Sequence, residues 1–272
     1  MSSTYRKVPI NFLKKVLEES LDRMKGSLSE RLDRDPVFFP HLYEDNKDIE
    51  FAAFIAAQFA YGNANQIIDF LRKLYLRIDG EICRFIKKGK FDKLDGLYYR
   101  FQKTEDIKDL FSVLKAILDN YGSLGELFSS LYKGDLRRAI FSLQRELGIF
   151  SSKLFFFFPL ESPSNPLKRW NLFLRWMVRK DEVDFGIWQF ILPKDLLIPL
   201  DTHIFKISRC LGLTRRKTKD AKTVLEVTEK MKLICPEDPL RYDFFLCHFV
   251  GIDKRCSGFP EDSCKGRCVF YG

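Results

Sequence analysis

No apolar run in this chain is long enough to cross a bilayer. Its most hydrophobic stretch, Leu154–Leu160, is far shorter than the roughly 20 residues that a spanning helix needs. There is no internal repeat and no low-complexity tract, so a solenoid or a disordered tail is not the expectation. Period-two alternation is not convincing anywhere, which leaves sheet folds without a signal. The N-terminal residues are polar and then amphipathic, with no secretory pattern. Cysteines number seven, an odd count, and with no export signal they point to a reducing cytosol rather than a disulfide framework. Histidines number three; His41 and His248 stand in no pattern that implies chemistry.

What is present is apolar and basic. A length of 272 residues allows one large or two modest domains with a substantial core. Apolar content of 46% and 27 phenylalanines exclude a disordered chain and predict thick, bulky cores. A net charge of +9 and a pI near 9.1 favour a polyanionic partner, nucleic acid above all, although an anionic membrane surface fits the charge as well. The densest basic cluster is Arg215, Arg216, Lys217, Lys219 and Lys222, opposed only by Asp220. It reads as phosphate contacts or as a solvated turn.

Helical signals dominate. Residues 9–24 carry Phe12, Leu13, Val16, Leu17 and Leu21 at helical spacing, with Pro9 at a favourable helix start. Residues 35–47 read as a loop. Asp48 is expected to cap a helix through Tyr61 that is apolar nearly all round and therefore buried. Ala64–Ile78 is a further helix, and residues 81–103 suggest two small ones. Helices are expected over 105–121, 123–131, 135–147, 218–234 and 239–250, besides those that start near Lys168 and Asp201. The fold class is all-α.

Two residues carry the raw material for imine chemistry. Lys168 opens a helix-forming run rich in Trp170, Phe173, Trp176 and Met177. A lysine attacks only as the neutral amine, which apolar surroundings and a helix N-terminus favour. Asp201 follows Pro199, which disfavours helix just before it, and precedes an amphipathic run that ends at Gly212. It can cap that helix and remain ionised beside the free N–H groups. A plain cap, and a plain surface lysine, are the other readings. His203 more simply braces the turn than moves protons.

The segment Pro199-Leu-Asp-Thr-His-Ile-Phe-Lys-Ile-Ser-Arg-Cys-Leu-Gly-Leu213 resembles the Val-Asp-Thr-His segment of the helix-hairpin-helix Gly/Pro–Asp DNA glycosylases, the endonuclease III superfamily. The 33-residue gap from Lys168 to Asp201 is closer to the archaeal 8-oxoguanine DNA glycosylases. The wording Lys168-Arg-Trp-Asn-Leu-Phe-Leu-Arg-Trp-Met-Val-Arg179 also resembles a nearby uncharacterised bacterial family. The chain departs from the pattern where Leu-Pro-Gly-Val-Gly should precede Lys168: it has Phe158-Pro-Leu-Glu-Ser-Pro-Ser-Asn-Pro-Leu167, a turn without the glycines that grip a phosphate.

The resemblance implies two helical domains with a cleft between them, about 35–180 for one and 1–34 plus 181–272 for the other, with an insertion near 81–103. It implies a monomeric, cytoplasmic base-excision glycosylase with AP lyase activity on double-stranded DNA, removing an oxidised purine such as 8-oxoguanine. Lys168 would be the nucleophile and Asp201 the charge-stabilising acid. Gln58, in Ala56-Ala-Gln-Phe-Ala60, resembles the residue that fills the gap left by a flipped base; a buried, hydrogen-bonded Gln is its other reading. Tyr242 and Asp243 are candidates for the base pocket, and Arg215, Arg216, Lys217 and Lys219 for the DNA backbone. Tyr61, Asn63 and Asn65 are weaker DNA-facing candidates. Cys247, Cys256, Cys264 and Cys268 stand where endonuclease III holds a 4Fe-4S cluster, though here eight, seven and three residues intervene. A zinc site or a plain core cysteine at Cys247 stays open. The alternatives are a catalytically silent DNA-binding module and a helical interaction protein unrelated to DNA.

Overall fold

The computed structural model describes residues 8–24, 26–78 and 80–271. Among them the chain is all-α, as its periodicity predicts: extended pairing is confined to the isolated bridges Tyr99–Gln102 and Lys180–Phe185. The polar N-terminal residues 1–7 lie outside the described residues. No helix among the described residues is long and apolar enough to cross a membrane.

The chain divides into two compact units. One comprises Glu30–Ser162 and Trp176–Phe190. At its centre is α2 (Asn46–Phe59), buried along nearly all its length. Asp45 caps it, accepting from the amides of Lys47 and Asp48. The sequence expectation had placed the cap at Asp48. That residue instead lies in the first turn, where its carboxylate accepts from the Cys83 amide at 2.7 Å. Packed around α2 are α3 (Ala64–Ile78), α4 (Ile82–Lys88) and α6 (Leu124–Leu131), with α5 (Thr104–Tyr121) on α4 and α6, and α7 (Leu136–Glu146) on α6. Glu50 is a buried carboxylate in this core. It accepts from the Leu124 amide at 2.5 Å and from Trp188 Nε1 at 2.8 Å. Its pKa is raised, burial outweighing the lowering effect of those hydrogen bonds. The short elements expected in 81–103 are α4 and the 3-10 turn Asp92–Leu94.

The other unit comprises Met1–Ser29, Pro163–Arg175 and Ile191–Gly272. It holds α1 (Ile10–Arg23), the first two turns of α8 (Lys168–Val178), α9 (Thr202–Cys210), α10 (Ala221–Lys232) and α11, an α turn Asp243–Phe245 that continues as the π-helix Leu246–Ile252. The last helix thus starts later than residue 239 and is mostly π. The reason for its close fit on α9 is Gly251: a Cβ there would come within 2.7 Å of His203 Cβ. His203 braces this contact. The boundary between the units falls inside α8, between Arg175 and Trp176, so Lys168 belongs to the same unit as Asp201 rather than to the central one. Residues 181–190 group with the central unit instead.

Candidate active site

Lys168 is the first residue of α8 and is half-buried. The residue before it, Leu167, has φ +52, a left-handed conformation that a non-glycine residue adopts at a cost of about 1–2 kcal/mol. Local hydrogen bonds hold it there. Asn165 Oδ1 accepts from the Leu167 amide at 2.9 Å, and the Leu167 carbonyl accepts from the Asn171 amide at 2.9 Å. The Pro-rich segment without glycine thus enters α8 through a strained leucine. The Ser164 carbonyl accepts from the Ala221 amide at 3.0 Å, which fastens the turn to the start of α10.

Asp201 caps α9: its Oδ1 accepts from the Ile204 amide at 2.7 Å, as the sequence predicts. Gly212, with φ +72, ends the turn after the helix. Two bonds position the approach to Asp201. Thr228 Oγ1 accepts from the Ile198 amide at 3.1 Å, and the Ile198 carbonyl accepts from Asn171 Nδ2 at 3.5 Å. Asn171 also donates to the Pro166 carbonyl at 3.1 Å. This buried asparagine, one turn past Lys168, ties the start of α8 to the turn that delivers Asp201. Sequence reasoning missed its role. The available signal was a lone amide in an apolar helix.

The remaining candidates fall differently. Gln58 is completely buried in α2 and faces no solvent. Tyr242 is also enclosed and donates to Glu18 at 2.5 Å; burial, and then the carboxylate, raise its pKa. Asp243 is 2% exposed and forms an ion pair with Arg175 at 2.6 Å. Both side chains are thus engaged in the interior of their unit. In the basic cluster, Arg216 is committed to Asp220 at 2.6 Å and to Thr223 at 2.8 Å. That network holds Asp220 below the usual carboxylate range. Lys219 donates to Thr202 at 2.9 Å, while Arg215 and Lys217 are exposed.

The cysteines also part from expectation. Cys247 Sγ lies 3.6 Å from Asp201 Oδ2. The thiol that joins Cys256 is Cys210, at the end of α9, and it feels Cys264 and Cys268 as well. Cys210 is pushed up by its bond to Cys256 and by burial. Cys256 is lowered to about 6 by the hydrogen bond from Cys210, helped by the Gly258 amide and the Lys206 charge against the opposing effect of burial. The tail carrying Cys256 packs on α9: a Cβ at Gly258 would meet Lys206 at 3.3 Å, and Arg209 stacks on Phe259 at 4.7 Å. Among the described residues no three Cys, His, Asp or Glu side chains converge where one metal ion could be held. Of the expected set Cys247, Cys256, Cys264 and Cys268, Cys247 has its Sγ against Asp201, while Cys264 and Cys268 act on the Cys210–Cys256 pair.

The fold and site define an all-α protein with a lysine and an aspartate at two linked helix starts. The chain belongs to the family described as protein of unknown function DUF2400, whose match covers residues 35–252. No curated protein matches the chain significantly, and no solved structure does.

Proposed function

We propose that this chain is a DNA base-excision glycosylase with AP lyase activity, acting on an oxidised purine such as 8-oxoguanine in double-stranded DNA, on a cleft-bearing, endonuclease III-like fold. The observation that carries the reading is the linkage of the two helix starts: Lys168 opens α8, Asp201 caps α9, and Asn171 joins the two segments through the Ile198 carbonyl. The exposed cations Arg215 and Lys217 and the net charge of +9 suit a phosphate backbone.

In this reading the neutral Lys168 amine attacks C1′ of the flipped nucleotide. The N-glycosidic bond breaks and its electron pair leaves with the base, which takes up a proton. The Asp201 carboxylate stabilises positive charge at C1′ and receives the proton lost by the attacking nitrogen. Opening of the sugar ring gives the imine between Nζ and C1′. Loss of a C2′ proton then expels the 3′ phosphate by β-elimination. The test is borohydride trapping on a panel of damaged duplexes. A covalent complex with the 8-oxoguanine duplex is expected. Tight duplex binding with no trapped complex on any lesion would replace this reading with the silent DNA-binding module.

A further inference from the structure

A second feature lies in the central unit, away from Lys168 and Asp201 in sequence and independent of their chemistry. A cavity of about 580 Å³ opens between α3 and the loop that follows the 3-10 turn Asp92–Leu94. Its size falls within the roughly 300–1,000 Å³ of small-molecule sites. The α3 wall comes from one helical stripe. Phe70, stacked on Tyr99 at 4.8 Å, gives the wall an apolar part, and Lys73 and Arg77 follow on the same stripe. Arg77 is held in place from behind, donating to the Lys93 carbonyl at 3.2 Å and to the Asp95 carbonyl.

The facing wall presents Tyr98 and Arg100. Tyr98 is 75% exposed, which leaves its ring open to a ligand. Arg100 sits at φ +56 in the two-residue turn closed by the Tyr99 and Gln102 amide–carbonyl pair at 2.9 Å. Its guanidinium lies 5.8 Å from the Tyr61 ring centroid and close against Gly62. The lining carries three cations against one carboxylate, Asp69, which already lies 3.7 Å from Arg72. A cationic cavity with an exposed ring at its lip suits a ligand with a planar face and a phosphate.

The geometry points to a nucleotide-binding site, with the base on the Tyr98 ring and the phosphate between Lys73 and Arg100. A free mononucleotide and an unpaired nucleotide within a single strand share this chemistry. Stacking on an aromatic side chain is tolerant of base identity, so the site selects a nucleotide rather than a sequence.

The experiment uses the full chain at low salt with three probes: dAMP, a short mixed-sequence single-stranded oligodeoxynucleotide and inorganic pyrophosphate. Saturable binding of dAMP identifies a free nucleotide as sufficient. Binding of the strand alone identifies an unpaired nucleotide held by its neighbours. In either case Tyr98→Ala and Lys73→Glu should each weaken binding about tenfold, with unchanged unfolding curves because both side chains are exposed. Borohydride trapping on the 8-oxoguanine duplex, read in parallel, should survive Tyr98→Ala, which separates failure of this site from failure of the glycosylase reading. The proposal is overturned if neither dAMP nor the strand binds, or if neither cavity substitution weakens binding. It is equally overturned if pyrophosphate binds as well as dAMP and Tyr98→Ala has no effect.

Discussion

Cys247 Sγ lies 3.6 Å from Oδ2 of Asp201, while Oδ1 of the same carboxylate accepts from the Ile204 amide. One carboxylate is thus shared between a helix cap and a thiol on α11. Cys247→Ala removes a weak S–H donor and leaves the cap. Unfolding in denaturant should show a loss of about 1 kcal/mol or less, and the iron and zinc content of purified protein should match wild type. Loss of bound metal in this variant would restore Cys247 as a ligand.

Lys168→Gln keeps length and polarity but removes the nucleophile. It should abolish the borohydride-trapped complex and leave duplex binding nearly intact. Asp201→Asn keeps the cap, since Asn and Asp cap about equally well. It should unfold like wild type yet lose base excision by roughly 10²–10³-fold, because the negative charge beside the developing sugar cation is gone. An Asp201→Asn chain fully active on an 8-oxoguanine duplex would reduce Asp201 to a helix cap.

Arg175 and Asp243 form an ion pair with both side chains under 5% exposed. Asp243→Ala strands a buried guanidinium and should cost about 3–5 kcal/mol of stability. The double variant Arg175→Met/Asp243→Leu removes both charges and should cost clearly less. Chemical denaturation of the two variants checks this. Near-normal stability of Asp243→Ala with loss of lesion recognition would return Asp243 to the base pocket.

The Cys210–Cys256 contact makes a pH prediction. The thiolate is the form that reacts with iodoacetamide. With Cys256 lowered to about 6, its alkylation should rise through that pH and be near its plateau at neutrality, ahead of Cys210 and Cys268, which are raised. Cys210→Ala removes the largest lowering influence, so the alkylation profile should move to higher pH. Peptide mapping by mass spectrometry across a pH series reads both. An unchanged profile in Cys210→Ala would mean that the contact does not govern Cys256.

What the sequence determined by itself is local. Helix period, the start of α8 at Lys168 and the Asp201 cap were all legible, because each depends on residues within one or two turns. Even so, neighbouring polar residues compete within that range: Asp45, not Asp48, took the cap of α2, since Asp48 found the Cys83 amide. Tertiary structure decided the partners. Arg175 meets Asp243 across 68 residues of chain, and Asn171 meets Ile198 across 27. Cys247 meets Asp201 and Cys210 meets Cys256 because the pitch of α9 turns Asp201 and Cys210 toward different neighbours, α11 for one and the C-terminal tail for the other. A spacing of cysteines along the chain carries no information about which helix face each will meet. That depends on how apolar surfaces pack, and only the folded chain specifies it.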